Sequence, residues 1–416
     1  MADAPATELK TSDGRPLRAA LAAAQSRARR RAFLLVVPLL AFVILTFVVP
    51  IGYMLKRSFE HDGFSASAPS LAVWFAANPK GAAPDEAAYA ALVSDLAKMQ
   101  VDKTPGQAGT RINYTVPGTI SLFKSAARKA KDLTPPFKEA MLELDAKWAE
   151  PAIWMAMREA SSSYTTDFYR VAADQKRGPD GSWQRGADNE RIYLFLFFKT
   201  FLLSGAVTLI CLLLAFPIAH LLATLPVSKS SLLMILVLLP FWTSLLVRTS
   251  AWIAILQEQG IINDLMYSTG LIADDSRVRM IYNQTGTVIV MTHILLPFMV
   301  LPLFSVMRTI PPSYARAARS LGATSWTTFR RVYLPQTLPG IAAGSLLVFI
   351  LAVGYYITPA LVGGADGQLI SNMIQFHMAK SNWSLAAALA AMLLLAVMVL
   401  YWLYDRLIGI DRLKLG

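Results

Sequence analysis

The chain has 416 residues, of which 55% are hydrophobic and only 16% are charged. Its mean hydropathy of +0.45 lies above the range of ordinary soluble domains, so the composition predicts a membrane protein. The formal net charge of +12 is compatible with nucleic-acid binding and also with basic loops held in the cytoplasm beside membrane spans. The single cysteine, Cys211, lies inside an apolar run, which excludes an internal disulfide.

Six segments are apolar and long enough to cross a bilayer core, which needs roughly 20 helical residues. They are predicted at residues 32–55, 195–222, 232–256, 286–307, 339–361 and 385–403. Four arginines directly precede the first segment: Arg27, Arg29, Arg30 and Arg31. Positive charge there predicts a cytoplasmic N-terminus. We interpret the first segment as a retained helix, because it is long enough to span and no small-residue cleavage site follows it.

The remaining charges agree with this orientation. Alternation of sides places three basic stretches in the cytoplasm, namely the turn with Lys229, the hairpin at residues 315–340 and the C-terminal tail. The loops assigned to the outside are mixed or acidic, with Glu258 and Asp264 as examples. This asymmetry accounts for the net charge without nucleic acid.

The predicted organisation follows the chain in five parts. These are a cytoplasmic arm (1–31), a first transmembrane helix (32–55), an external helical insertion (56–191), a membrane core (192–407) and a cytoplasmic tail (408–416). Within the insertion, helices are predicted at 84–99 and 118–131, and a third from 136 towards 169 with a break near Pro151. Residues 176–188 are predicted to be a linker. Four large side chains are interpreted as a small core or as a lid on the membrane part: Trp148, Trp154, Met155 and Met157.

No motif for catalysis or phosphate binding is present: there is no HExxH, no GxSxG in a suitable frame and no Gly-rich loop ending in Gly-Lys-Ser/Thr. The histidines lack metal-ligand spacing and are interpreted as structural: His61, His220, His293 and His377. The predicted spans after the insertion contain no aspartate or glutamate, whereas ion-coupled carriers use buried carboxylates. We therefore predict a chain that is not an enzyme, holds no metal or cofactor, and draws its energy from another chain.

The segment at residues 315–340, ARAARSLGATSWTTFRRVYLPQTLPG, carries four arginines and no acid between two apolar segments. The prolines at 311–312 predict the start of a short helix, and Gly322 predicts its end in a left-handed conformation. A second amphipathic piece is predicted over 324–334 and is ended by Pro335. On physical grounds alone, docking to a protein and lying on anionic lipid are equally favoured.

In this segment Arg316-Ala317-Ala318 is followed by Gly322 and then by Phe329 and Leu334-Pro335. The pattern resembles the EAA loop of ABC importer permeases. Three further runs, in the same order, resemble permeases of the spermidine/putrescine type: LLPFWTSLLVRTSAW (238–252), LLPFMVLPLFSVM (295–307) and YYITPALVGG (355–364). The resemblance covers residues 193–407.

The resemblance implies an all-α membrane protein of six transmembrane helices with the MetI-like type I ABC importer fold and a helical insertion between helices 1 and 2. It implies a multi-pass permease of a bacterial inner membrane that forms the path for a polyamine or a related amine or amino-acid-like solute. The implied partners are a second permease, identical or homologous, an ATPase dimer that binds ATP and Mg, and an extracytoplasmic solute-binding protein. The loop at 308–338 would dock on the ATPase, with Ala317, Ala318 and Gly322 in the coupling helix.

Two positions depart from the family pattern. Arg316 stands where the loop usually has glutamate, so a charge contact with the ATPase is reversed, replaced or absent. Tyr355-Tyr356 stand where polyamine permeases often have an acid, which leaves aromatic faces to favour an amine cation.

Five residues are candidates for the translocation path: Trp242, Arg248, Tyr355, Tyr356 and Thr358. Arg248 is interpreted either as a substrate or anion contact or as a snorkelling side chain near the outer surface, ~24 Å from the inner end of a straight third helix. Pro240 predicts a kink in that helix. Gly340 and Gly344 form a GxxxG pair that favours close helix packing.

Two other classes of protein remain compatible with these features. One is a membrane receptor or scaffold whose external domain binds a ligand and whose hairpin recruits a cytoplasmic protein. The other is a secondary carrier, which would transport with an ion gradient alone.

Overall fold

The computed structural model describes residues 17–60, 64–79, 81–113, 115–162, 164–177, 182–188 and 191–408. They form two compact units, Met1–Arg57 and Ser58–Gly416, which we describe separately. The part of the predicted arm before residue 17, the tail after residue 408 and His61 lie outside the described residues.

The first unit is helical throughout its described part. Helix α1 (Leu17–Val43) continues through a π-helical turn (Ile44–Val48) into α2 (Val49–Arg57). Residues Ala28–Arg57 are apolar and long enough to span a membrane. The predicted first span at 32–55 therefore lies inside a longer helix.

The insertion consists of short helices. They are α3 (Phe64–Ser67), α4 (Pro69–Ala77), α5 (Glu86–Val101), α6 (Pro105–Asn113), α7 (Thr119–Lys129), α8 (Phe137–Leu144), α9 (Pro151–Ala160) and α10 (Asp167–Ala172), with a 3-10 turn at Ala146–Ala149. Asp85 begins α5 by accepting a hydrogen bond from the Ala88 N–H at 2.9 Å. The predicted helices at 84–99 and 118–131 are confirmed as α5 and α7. The third is confirmed as a broken series in which α9 begins at Pro151.

The core of the insertion is built around Trp148, which is fully buried. The Trp148 carbonyl accepts hydrogen bonds from the Tyr89 hydroxyl at 2.9 Å and from the Trp154 indole N–H at 2.8 Å. Burial raises the pKa of the Tyr89 hydroxyl, so that group remains a neutral donor. Met157 is also buried, but Met155 is 36% exposed. The predicted small core is thus confirmed for Trp148, Trp154 and Met157 and wrong for Met155.

The segment that returns to the membrane core is not a simple linker as predicted. Strands β1 (Gln175–Arg177) and β2 (Trp183–Arg185) pair antiparallel within it. Just before β1, the buried Asp174 has a left-handed φ of 57°. Its carboxylate accepts hydrogen bonds from the N–H groups of Ile192, Tyr193 and Leu194, at 3.1, 3.0 and 2.8 Å. An anion at the first turn of the next helix satisfies N–H groups that have no partner within it.

The membrane core contains the long helices and several short ones. They are α11 (Tyr193–Thr224), α12 (Val227–Leu238), α13 (Leu245–Leu256), α14 (Ile261–Ser268), α15 (Gln284–Thr309), α16 (Pro312–Ser320), α17 (Ser325–Thr328), α18 (Leu334–Gly354), α19 (Ile357–Val362), α20 (Ile370–Ala379) and α21 (Trp383–Ile408). The second, fourth and sixth predicted spans are confirmed as α11, α15 and α21.

The third predicted span is not one helix. Val227–Trp242 and Leu245–Ser268 meet at an angle of 98°, with Thr243 and Ser244 in extended conformation between them. Pro240 lies in the 3-10 turn that ends the first half, where its missing N–H and its ring prevent continuation of the α-helix. The predicted kink is therefore a complete break. The described residues hold five continuous spans, or six if this bent pair is one span.

The fifth predicted span, at 339–361, is wrong at both ends. The helix runs continuously over Ser325–Gly354, through α17, a π-helical turn (Phe329–Tyr333) and α18. Pro335 was predicted to end a helix, but it follows the π turn, in which the Leu334 N–H donates to the Phe329 carbonyl. This wider turn shifts the hydrogen-bond pairing just before the proline, and the helix continues.

Helices α11, α15 and α18 form the centre of the core. Buried side chains from all three meet there, including Val207, Met299 and Val348. A Cβ added to Gly340 would lie 3.1 Å from the Pro302 carbonyl oxygen, and one on Gly344 would lie 2.8 Å from the Met299 Sδ. The GxxxG pair thus lets α18 approach α15 closely, as predicted.

We expect Asp174→Ala to destabilise the junction between the insertion and α11 by about 2 kcal/mol, because three N–H groups lose their acceptor. Asp174→Asn should lose less, since asparagine tolerates the left-handed backbone and keeps one acceptor oxygen. Thermal unfolding of the purified protein in detergent measures both. Glu150→Ala is the control, because the exposed Glu150 side chain makes no cap on the helix that it precedes. Equal unfolding midpoints for all three variants would contradict the role of Asp174.

Candidate coupling hairpin and translocation path

Helix α16 is the short helix predicted from the prolines at 311–312. Pro312 occupies its first turn, where a missing N–H costs nothing. At the other end the Gly322 N–H donates to the Arg319 carbonyl at 2.9 Å, and the Ala323 N–H donates to the Ala318 carbonyl at 3.0 Å. This pair of bonds is a Schellman motif, and it requires the left-handed φ of +85° at Gly322. The predicted helix end is confirmed.

The exposed tip of α16 combines small residues at positions 317, 318 and 322 with two large side chains, Arg316 and Leu321. Arg316 and Ala317 are exposed, Ala318 is half-buried, and the neighbouring Leu321 is 89% exposed. A Cβ on Gly322 would meet nothing within 4 Å, so its backbone conformation and not lack of space demands glycine there. At Ala317, Ala318 and Gly322, therefore, another backbone can approach this helix closely.

The second half of the hairpin is fixed to the core by aromatic contacts. Phe329 packs edge-on against Phe216 of α11, with ring centroids 5.9 Å apart, and stacks between Trp326 and Tyr333. The Tyr333 hydroxyl and His220 Nδ1 are 2.9 Å apart. Phe329 thus connects the hairpin to α11. Leu334 and Pro335 are the first two residues of α18. The contact from His220 was missed by sequence reasoning, because it joins residues 113 positions apart.

A polar cluster lies where α13, α15 and the end of α18 meet. Trp252 donates from its indole N–H to His293 Nδ1 at 3.1 Å, with their rings 5.2 Å apart. Arg248 stands one turn earlier on α13, and Tyr355 packs against the same buried apolar cluster as Trp252. The structure therefore places the predicted path residues Arg248 and Tyr355 in the same region as Trp252 and His293, the second of which was interpreted as structural.

The distance count behind the snorkelling interpretation of Arg248 does not apply to this structure. That interpretation counted ~24 Å along a straight third helix, and the helix is broken by 98° just before α13. The Nε atom of Arg248 is buried and has no hydrogen-bond partner among the described residues. An arginine N–H that is buried in this way is a donor available to a ligand.

The remaining path candidates lie at the two helix breaks. Trp242 ends the first half of the broken span and is 72% exposed. Tyr356 is 43% exposed, and Thr358 is fully buried with no described partner for its hydroxyl.

At the break that follows α18, the Tyr355 carbonyl accepts a hydrogen bond from the Ser371 hydroxyl at 2.6 Å, and the Tyr356 carbonyl accepts one from the Asn372 amide at 2.8 Å. Helix α20 thus satisfies the backbone exposed by the break.

The described residues contain no group of three or more histidine, cysteine, aspartate or glutamate side chains that could hold a metal ion.

Outside the spans, burial raises the pKa of Asp167 above its ordinary value, although the Thr165 hydroxyl, Arg111 and Arg170 oppose this shift. Arg277 donates hydrogen bonds to the carboxylates of Asp264 and Asp274, which raises its pKa and keeps that loop's cation paired.

Residues 192–408 match the family described as "binding-protein-dependent transport system inner membrane component". This range begins at α11 and ends with α21, so it contains the membrane core and excludes the insertion. The spermidine/putrescine transport system permease protein PotB of Haemophilus influenzae is 34% identical over 216 residues, which cover 52% of this chain and 75% of that protein. The inner membrane ABC transporter permease protein YdcU of Escherichia coli is 33% identical over 229 residues, covering 52% of this chain and 73% of the relative.

A crystal structure of a bacterial ABC transporter involved in the import of the acidic polysaccharide alginate aligns with a TM-score of 0.46 at 17% identity, covering 70% of this chain and 98% of that one. The assignment does not depend on this weak likeness. It rests on the family match, which spans just over half of the chain, and on the sequence relatives. The chain belongs to the family of binding-protein-dependent transport system inner membrane components, and it is a permease subunit of an ABC transporter.

Proposed function

We propose that this permease imports a small polar solute across a bacterial inner membrane, with both termini in the cytoplasm. It works with a second permease, identical or homologous, with an ATPase dimer that binds ATP and Mg, and with an extracytoplasmic solute-binding protein. The observation that carries the proposal is the hairpin: a short exposed helix that ends at Gly322, followed by a second arm that is continuous with a long membrane helix.

The hairpin is built to transmit motion. Helix α16 packs directly against the π turn at Phe329–Tyr333, and the helix over Ser325–Gly354 is continuous, so a displacement of α16 is passed to the hairpin side of α18 by this contact. Phe329 passes the same displacement to α11 through Phe216. Closure of an ATPase dimer around α16 would therefore move the two helices that form the centre of the core. This is the motion that alternating access requires.

The substrate class follows from the relatives and from the cluster around Arg248. The relatives' names include spermidine and putrescine, and the aromatic faces of Trp252 and Tyr355 suit an amine cation. Arg248 adds a fixed positive charge, and the membrane helices of the core carry no acid in their apolar segments to balance it. A solute that carries a carboxylate beside its amine satisfies both features. An amine of amino-acid type therefore fits this chain alongside a polyamine.

Reconstitution tests the function directly. Proteoliposomes that contain this permease, its ATPase and its second permease should accumulate labelled solute only with ATP on the ATPase side and the binding protein on the other side. Uptake driven by an ion gradient without ATP would support a secondary carrier. Ligand binding without any uptake would support a receptor.

The first variant tests the coupling helix. Gly322→Val forces a β-branched residue into the left-handed conformation at a cost of at least about 1–2 kcal/mol. We expect roughly five- to thirty-fold weaker co-purification of the ATPase subunit. Gly322→Asn should retain it, because asparagine adopts this conformation readily. Equal retention of the ATPase by both variants would show that the shape of this helix end does not matter for docking.

The second variant tests the cluster in the core. If Arg248 binds a carboxylate of the solute, Arg248→Ala should reduce uptake of an amino-acid-type solute roughly tenfold or more, since a charge-assisted hydrogen bond is lost. Uptake of putrescine should be unchanged or increased, because removal of the charge relieves repulsion. Lys229→Ala removes an exposed cation elsewhere and serves as the control. Equal loss for both solutes would assign Arg248 to structure and not to solute recognition.

A further inference from the structure

A cavity of about 590 Å³ lies between α16 and the ends of α11 and α15, on the hairpin side of the core. Its polar lining consists mainly of donors. The side chains that matter are Arg308, Arg316, Arg319, His220, Tyr333 and Gln336. None of the described residues that line it is an aspartate or a glutamate.

Two of the arginines share one face of the coupling helix. Arg316 and Arg319 stand one turn apart, and with Pro312 and Ala315 they line the cavity at the spacing of a single helical face. Like charges three residues apart on a helix repel each other, which destabilises the helix unless an anion lies between them. The arrangement therefore favours an anionic occupant.

The third arginine is held in position by the core. Arg308, in the last turn of α15, donates to the carbonyls of Ala223 and Leu225 at 2.8 and 3.1 Å. These bonds fix its guanidinium at the end of α11, at the wall of the cavity. Three guanidinium groups on two elements thus converge on one space, and guanidinium matches the geometry of a phosphate group.

The position and the apolar lining indicate where the phosphate comes from. The cavity lies at the ends of two long apolar helices, α11 and α15, where a membrane span meets water. Met307, Ile310 and Val332 supply apolar walls beside the arginines. Basic pockets of this kind between membrane helices suit anionic lipid headgroups. We propose that the cavity binds the phosphate headgroup of an anionic phospholipid through Arg308, Arg316 and Arg319.

The site leaves the docking surface of α16 free. Ala317, Ser320 and Leu321 are exposed and do not line the cavity. An ATPase subunit can therefore contact one side of α16 while a lipid headgroup occupies the other. This arrangement accounts for arginine at position 316, where related loops usually have glutamate, without any acidic partner on the ATPase.

The test measures lipid retention on the purified transporter complex, so it is independent of uptake and of the proposed substrate. The complex is extracted from vesicles of phosphatidylcholine and phosphatidylglycerol, and the lipids that stay bound are identified by native mass spectrometry. The double variant Arg316→Gln/Arg319→Gln should retain phosphatidylglycerol roughly tenfold less than the wild type. The matched control is Arg330→Gln/Arg331→Gln, which removes the same charge from exposed positions of the hairpin that do not line the cavity.

Selective loss of phosphatidylglycerol in the first variant, at an unchanged elution volume, supports the site. Equal retention by both variants would overturn it. Displacement of the lipid by inorganic phosphate at low concentration would instead identify a site for free phosphate. If the first variant keeps the lipid but loses the ATPase subunit, the arginines serve protein docking and the lipid proposal fails.

Discussion

The main constraint on this molecule is that backbone polar groups within an apolar medium must be hydrogen-bonded by the protein itself. Continuous helices such as α11, α15 and α21 meet most of this requirement within themselves. At the break after α18, the exposed carbonyls of Tyr355 and Tyr356 are bonded by Ser371 and Asn372 of α20. At this break a neighbouring helix thus supplies the missing donors, and Tyr355 packs against the same apolar cluster as Trp252.

The same principle explains how the insertion joins the core. Helix α11 begins with N–H groups that have no partners inside the helix, and Asp174 provides both carboxylate oxygens to them. Phe168 and Ala172 of α10 pack with Leu385 and Leu389 of α21. The insertion is therefore anchored to two membrane helices by one ionic cap and one apolar contact. A ligand or binding protein that contacted the insertion would act on helices of the core directly.

Several features were predictable because they depend on neighbouring residues alone. Asp85 and Pro151 start helices through local hydrogen bonding and backbone geometry, and Gly322 ends one through its left-handed φ. Arg248 shows the limit of such reasoning. Its distance from the membrane surface was counted along an assumed straight helix, and the break at Thr243 and Ser244 made that count inapplicable.

The amino-acid sequence by itself determined the membrane class, the number and order of apolar segments, the basic hairpin with its helix end, and the absence of carboxylates from the apolar segments after the insertion. These follow from composition and from spacing along the chain. Only the tertiary structure decided that the third span bends by 98°, that a π turn carries a helix past Pro335, and that Trp252 of α13 hydrogen-bonds His293 of α15. Each of these depends on packing between residues far apart in sequence, which local propensity does not specify.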